Sequence, residues 1–473
     1  MKSTLIRFFF LMVFVLVSSC EMEPTLADQL DTQIKSDKNI RSFLDGTYRQ
    51  MVNFRYYGRN MILAGELRSD NTYSNGNSGR MTVMSRMQLT PTTGDVGDLF
   101  NQIYGTVANP NIIIQEYLSG NEIEGEQNNI EHMIGEAYGI RAQSHFDLLR
   151  LFGQQYIDEG ENLGVSYITE FKGDDVQIPR GTVEENKSQI YADITAAIDH
   201  LKEGQSSQYS QDKTNFTLDA AYALLTRVAV YFKDYATLLA YKDEVEDLIA
   251  RLPVTEASEL VEYWAQSTPG KASIFELSQS ESDNQNIDGI SYIYRGNNYG
   301  DVQAYDSLIQ DAEFEPGDIR ISEEMMQIDD RGILRNMGKY PSEGQQLGSD
   351  NIIVYRIEEV VLNYAEALEE TGQQSNTGKS ASDYLNMITS HRNASPYTSS
   401  VDMDDILKER RKELLFEGFR FFDLQRTGRD IPNVDPSTVN NHELVPAGDY
   451  RFAMPIPRRE IEANKQTKQN PHY

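Results

Sequence analysis

Apolar residues recur along much of the chain with the 3.6-residue period of a helix. Ile190, Ile194, Ile198 and Leu201 fall on one face, behind a Thr182–Glu185 capping box that marks a helix start. A second helix is predicted over 218–233, where alanines at 220, 221, 223 and 229 permit a close neighbour. A third is predicted over 235–251 and stops before Pro253. The stretch 222–253 spans close to the period of a tetratricopeptide repeat, with Leu225, Ala229, Phe232 and Pro253 in place. Tyr241 sits where that repeat usually has a small residue, and a chance helical hairpin carries the same pattern. Further helices are predicted over 134–152, 354–370 and 404–425, the second with an apolar stripe of Ile357, Val361, Tyr364 and Leu368. Between about 267 and 350 the helical period lapses. Gly, Asn, Ser and Asp become dense, and only short strand-like runs such as 273–277 remain. A loop-rich stretch of that length inside a helical protein is often functional. The expected fold class is all-α.

The N-terminus has its own pattern. Lys2 and Arg7 precede an unbroken apolar run over 8–17, followed by Ser18, Ser19 and Cys20. The run is shorter than the roughly 20 residues of a spanning helix and has the shape of a secretory signal peptide. Val17-Ser18-Ser19-Cys20 resembles a bacterial lipobox, in which the cysteine is acylated and becomes the new N-terminus. The alternative is an ordinary signal peptide ending at a chance cysteine. On the lipobox reading, 1–19 is a leader, Cys20 is the lipidation site, and 20–40 is a polar tether of at most about 70 Å. Two or more acyl chains anchor stably where one does not.

Charge narrows the partners. The 473 residues carry 43 Lys+Arg against 73 Asp+Glu, a formal net charge of −30. Loss of 1–19 removes Lys2 and Arg7 and no acid, which takes the charge to about −32. No basic face for nucleic acid is expected, nor adhesion to anionic lipid. The single cysteine excludes an intrachain disulfide and a Cys-based zinc cluster. Among the six histidines no two stand at i, i+4, and there is no H-E-x-x-H or G-x-S-x-G motif. His145 reads as a packed residue. Gly378-Lys379-Ser380 mimics the end of a P-loop, but five residues separate Gly372 from Gly378 where four are required, so a helix stop and loop are expected. Asp402, Asp404 and Asp405 read as a helix start, where acids suit the dipole. No catalytic centre is predicted and no cofactor or metal is implied; a structural calcium ion stays open, without support from the sequence.

Several motifs carry a family resemblance. Residues 355–367 read YRIEEVVLNYAEA and residues 409–424 read ERRKELLFEGFRFFDL, followed by Pro455-Ile456-Pro457 and Gln469-Asn470-Pro471. Upstream stand Phe43-Leu44-Asp45-Gly46-Thr47-Tyr48, Gly135-Glu136-Ala137-Tyr138 with Arg141-Ala142, and residues 146–153, FDLLRLFG. In this order, behind a lipobox, they resemble the SusD/RagB family of Bacteroidetes surface lipoproteins over about 41–473. Read from the residues alone, these motifs are scaffold: 410 with 413 and 417 with 420 stand at i, i+3, and Phe416, Phe419, Phe421, Phe422 and Leu424 form a core stripe. The resemblance implies a SusD-like all-α fold with tetratricopeptide-like helical hairpins over 41–265 and a C-terminal region over 266–473. It also implies a non-enzymatic lipoprotein of the cell outer membrane that binds a nutrient and caps a SusC-like TonB-dependent transporter. The ligand is a glycan in most of the family and a peptide in the RagB branch; both stay open here.

Sugar recognition needs an apolar face for ring C–H groups and planar polar groups for hydroxyls. Two segments meet that need. Residues 66–80 offer Asp70, Asn71, Tyr73 and Arg80, and their ELRSDN run resembles the family's ligand-reaching loop. Residues 291–305 offer Tyr292, Tyr294, Tyr299 and Tyr305. The only tryptophan, Trp264, lies at the edge of this region, so tyrosines must supply any stacking surface. The acid excess would suit a basic peptide by long-range steering.

Overall fold

The computed structural model describes residues 34–173, 177–295, 300–329, 332–342 and 348–473. Cys20 lies outside them. Ile34 is already buried, and α1 (Asp37–Val52) begins inside the stretch read as tether, capped by the Ser36 side chain. After α2 (Asn60–Glu66) and a short strand β1 (Thr72–Ser74) come three long helices, α3 (Gly94–Leu118), α4 (Gln127–Phe152) and α5 (Val183–Glu203). α4 is buried on nearly every face and is flanked by α3 and α5, as expected of a helix central to its layer. The Thr182–Glu185 capping box forms, and Ile190, Ile194, Ile198 and Leu201 are buried. Gly135 lets α5 come close: a Cβ there would stand 2.6 Å from Leu201 Cγ and 3.0 Å from the Ala197 carbonyl oxygen.

The predicted hairpin forms as α6 (Leu218–Tyr231), α7 (Tyr235–Ala240) and α8 (Lys242–Arg251). Its second arm is broken at Tyr241, whose φ of −107° and ψ of 27° leave the helical region. The break falls where the repeat pattern wants a small side chain.

In the region of lapsed period, β2 (Ser273–Leu277) forms as expected, followed by α9 (Ile290–Arg295), β3 (Val302–Ala304), β4 (Met326–Ile328) and β5 (Leu334–Asn336). β6 (Ile352–Arg356) leads directly into α10 (Ile357–Thr371), so the helix predicted from 354 starts three residues late. The β-branched run Ile352-Ile353-Val354 pairs antiparallel with β2 instead, from Ser273 opposite Arg356 to Leu277 opposite Ile352. Among the described residues the strands pair into three two-stranded sheets, β1–β3, β2–β6 and β4–β5. Gly372 stops α10 in the left-handed conformation, and Ser380, with Asp383, caps α11 (Ala381–Thr389); the P-loop mimic is a helix stop and a helix start.

The helix predicted over 404–425 is two, α12 (Met403–Glu413) and α13 (Arg420–Thr427). Asp402 and Asp405 form the capping box of α12. Between α12 and α13, Phe416 and Gly418 adopt φ of 68° and 87°. This break redirects the charges. The i, i+3 pairs expected from sequence do not form. Glu413 instead accepts hydrogen bonds from Arg320, Arg356 and Arg392, Glu417 from Arg356 and Lys339, and Arg410 pairs with Asp423. Burial would raise the Glu413 pKa, but Arg392 and Arg356 hold it well below the carboxylate range. One hydrophobic core runs through both halves of the chain, from Ile34 to Ile456. Among the described residues no helix is long and apolar enough to cross a membrane.

Candidate functional site

Strand pairing joins the two segments singled out in the sequence. β1 and β3 run antiparallel with Thr72 opposite Ala304, Tyr73 opposite Gln303 and Ser74 opposite Val302. Side chains bind the turn that follows: Asn75 donates to the Gly300 carbonyl at 2.8 Å, and the Ser78 hydroxyl and amide donate to Asp301 at 2.8 Å each.

The predicted contact residues divide into two groups on this scaffold. Asp70 is buried, with Arg420 bidentate on it at 2.7 and 2.8 Å and Arg411 at 3.3 Å. Burial would raise its pKa, yet the two guanidiniums drive it well below the usual range. Asn71 is buried between Arg411 Nε at 2.8 Å and Glu66 Oε2 at 3.3 Å. Tyr294 is 1% exposed and donates to the Phe416 carbonyl. Tyr305 is 1% exposed and donates to Asn441 Oδ1 at 2.6 Å. These four, expected to touch ligand, are buried, and their side-chain polar atoms are taken up by Arg411 of α12, Arg420 of α13, the Phe416 carbonyl between those helices, Glu66 of α2 and Asn441. Tyr73, Arg80 and Tyr292 are all half-buried. The Tyr73 ring packs on Tyr305 at 5.0 Å, and its hydroxyl accepts from Gln303. Burial, then Asp306, raises the Tyr73 phenol pKa. Tyr299 lies outside the described residues. Trp264 is buried among Tyr263, Tyr340, Lys339 and Arg356 and offers no surface platform.

Arg80 opens onto a cleft of about 620 Å³ bounded by 79–83, Gln88, Thr90, 92–95, Arg59 and Asp288. Arg59 is almost fully buried and packs its guanidinium over the Phe54 ring at 4.7 Å. Arg59 and Arg80 both reach Asp288, at 3.3 and 3.2 Å. Burial lowers the Arg59 pKa. Across the cleft, burial raises the Asp95 pKa, with Arg59 and Arg80 working against it. Thr90, Thr92 and Thr93 line one wall with hydroxyls, and Val83 and Ile287 leave apolar surface at the rim. Forked donors, carboxylate acceptors and small apolar faces in one concavity suit a polyhydroxylated ligand. Sequence reasoning found Arg80 and missed Arg59, Asp95, Asp288 and the threonines. Asp288-Gly289 lies in the flagged irregular region, but nothing local to Arg59 or to 90–95 marks them.

A family model described as "SusD family" matches residues 334–473, and one described as "Starch-binding associating with outer membrane" matches 23–230. A solved SusD superfamily protein from Bacteroides thetaiotaomicron superposes with a TM-score of 0.81 at 26% identity, covering 92% of this chain and 100% of that one. The chain belongs to the SusD/RagB family. Curated relatives agree. SusD-like protein P38 of Formosa agariphila is 23% identical across all of this chain and 99% of its own length. SusD-like protein P2 of the same organism is 25% identical over 224 residues, which span 46% of this chain and 42% of that protein. In this SusD/RagB protein the motifs at 355–367 and 409–424 supply the buried β6–α10 junction and the ion network around Glu413 and Glu417. Their role is to hold the frame on which β1, β3 and the cleft are mounted.

Proposed function

We propose that this SusD/RagB protein is a non-catalytic, surface-exposed outer-membrane lipoprotein, anchored through Cys20, that captures glycan at the Arg80 cleft. It then caps a SusC-like TonB-dependent transporter for uptake. The observation that carries the ligand reading is the convergence of Arg59, Arg80, Asp95 and Asp288 with threonine hydroxyls in one concavity. The description of the family model over 23–230 as starch-binding and outer-membrane-associated supports both ligand class and location. An oligopeptide is the second reading. It is favoured by the lack of any aromatic ring among the described lining residues of the cleft.

Affinity electrophoresis and titration calorimetry against a polysaccharide panel that includes starch, and against an oligopeptide panel, test the proposal. Binding to at least one glycan is expected. Arg80→Ala should weaken it at least about tenfold, the effect of losing a charged hydrogen-bond donor, with the melting temperature unchanged. Binding to oligopeptides alone would establish the second reading, and binding to neither panel would overturn both.

A further inference from the structure

A second polar cluster lies away from the cleft, where the first turns of α4 meet the last turn of α5. Glu131 of α4 and His200 and Glu203 of α5 bring one ligand atom each to within 4.8 Å of one another. His200 and Glu203 stand at i, i+3 and so share a helix face. His200 Nδ1 lies 2.7 Å from Glu131 Oε2.

The surroundings fix these groups in place. Glu131 Oε1 accepts from Gln127 Nε2 at 2.6 Å, the Tyr117 hydroxyl donates to Oε1 at 3.1 Å and Oε2 at 3.3 Å, and Oε2 faces the imidazole. The His200 ring is stacked on Tyr138, with centroids 5.6 Å apart and planes 6° from parallel. The Tyr117 ring meets it edge-on at 5.3 Å. Hydrogen bonds that orient a carboxylate, and packing that sets an imidazole plane, are the outer-shell features of metal sites.

Acids outnumber bases in the cluster, and the basic group on Glu131 is His200, a cation only when protonated. Among the described residues, no lysine or arginine pairs with Glu131 or Glu203. Glu203 is the last residue of α5, where the helix dipole disfavours an acid. Lys202, the lysine of that turn, faces Glu244 and the Tyr222 ring instead. The site thus joins two carboxylates and one imidazole at a negative helix end.

We propose that Glu131, His200 and Glu203 bind one zinc-type divalent cation that ties α4 to α5. An imidazole with two carboxylates suits zinc and disfavours calcium, which takes six to eight oxygens. Bonds of about 2.0–2.2 Å from a tetrahedral ion place its ligand atoms about 3.3 Å apart. The His200–Glu131 contact therefore opens by roughly half an ångström as the ion replaces the shared proton, the ring proton moving to the other nitrogen.

The test uses the purified chain with Cys20→Ser, so that the lone thiol takes no metal. Titration with ZnCl2 is expected to give one site per chain and a higher melting temperature, with no shift in CaCl2. Glu203→Gln, at an exposed position, and His200→Ala should each weaken zinc at least tenfold. X-ray absorption of the zinc-loaded chain should show an imidazole in the shell. Absence of stoichiometric binding, binding unchanged by both substitutions, or a shell of oxygens alone would each overturn the site.

Discussion

Glu66 and Asp70 stand four residues apart, are both buried, and are pushed in opposite directions. Asp70 meets two guanidiniums and stays ionised. Glu66 meets the Gly418 amide at 2.8 Å and the Asn71 amide at 3.3 Å, while the nearby Lys339 pairs with Glu417. Burial therefore dominates and pushes the Glu66 pKa up to about 7. The two carboxylates thus have opposite linkage to folding. Asp70 contributes stability above its unfolded pKa, and that contribution is lost in acid. Glu66 holds a proton in the folded chain that the unfolded chain releases near its ordinary value of 4.5. Its contribution is full below about pH 4.5 and is lost as pH rises through about 7. Glu66→Gln keeps a carbonyl oxygen for Gly418 and removes the titration. Unfolding free energies of the wild type from urea titration should decline between pH 5 and 7 by an amount on the order of 1–3 kcal/mol more than those of the variant. Parallel pH profiles for the two chains would refute this account of Glu66.

At the scale of elements, the break between α12 and α13 organises the region under the site. Gly418 has φ of +87°, and a Cβ there would stand 2.8 Å from Ile62 Cα and 2.9 Å from its carbonyl oxygen. Its own carbonyl faces Gly65, where a Cβ would come within 1.9 Å of it. α2 and the 414–419 turn thus touch backbone to backbone, and this contact sets the Gly418 amide on Glu66. Gly418→Ala combines a left-handed alanine with a backbone clash and should cost at least about 2 kcal/mol in urea unfolding. A variant within about 0.5 kcal/mol of wild type would show that the turn relaxes freely. Helix interiors were legible in the sequence because period and caps are local: the Thr182–Glu185 box and the 190–201 stripe are read from neighbours. The breaks at Tyr241 and 414–419 were not. Pattern alone continues through them, and only close packing with a distant partner such as Gly65 makes the turn the better solution. The site follows the same rule. Composition singled out 66–80 and 291–305 separately, but neither their pairing through β1 and β3 nor the burial of Asp70 against Arg420, 350 positions away, is marked locally.

For the whole molecule, the proposed membrane residence is tied to the anchor at Cys20. Among the described residues no helix can span a bilayer. The formal charge of −30 opposes adhesion to anionic headgroups. Of the exposed large apolar side chains, Leu118 ends α3, Ile328 ends β4, and Val439 and Leu444 stand five positions apart in the loop after α13. Membrane residence on the proposed reading therefore rests on acyl chains at Cys20, which precedes the first described core residue, Ile34, by fourteen positions. Two or more chains bind essentially without release, whereas a bare acidic frame has no comparable term. Cys20→Ser should move the protein from the carbonate-washed membrane fraction to the soluble fraction. Its melting temperature should match that of the released wild-type frame, since every described core residue lies beyond the anchor. Mass spectrometry of the wild-type N-terminal peptide should show added acyl mass on Cys20. A serine variant that stays with the washed membranes would mean that the frame itself binds the bilayer or an embedded partner tightly enough to dispense with lipid, and the anchor would lose its place in the proposed function.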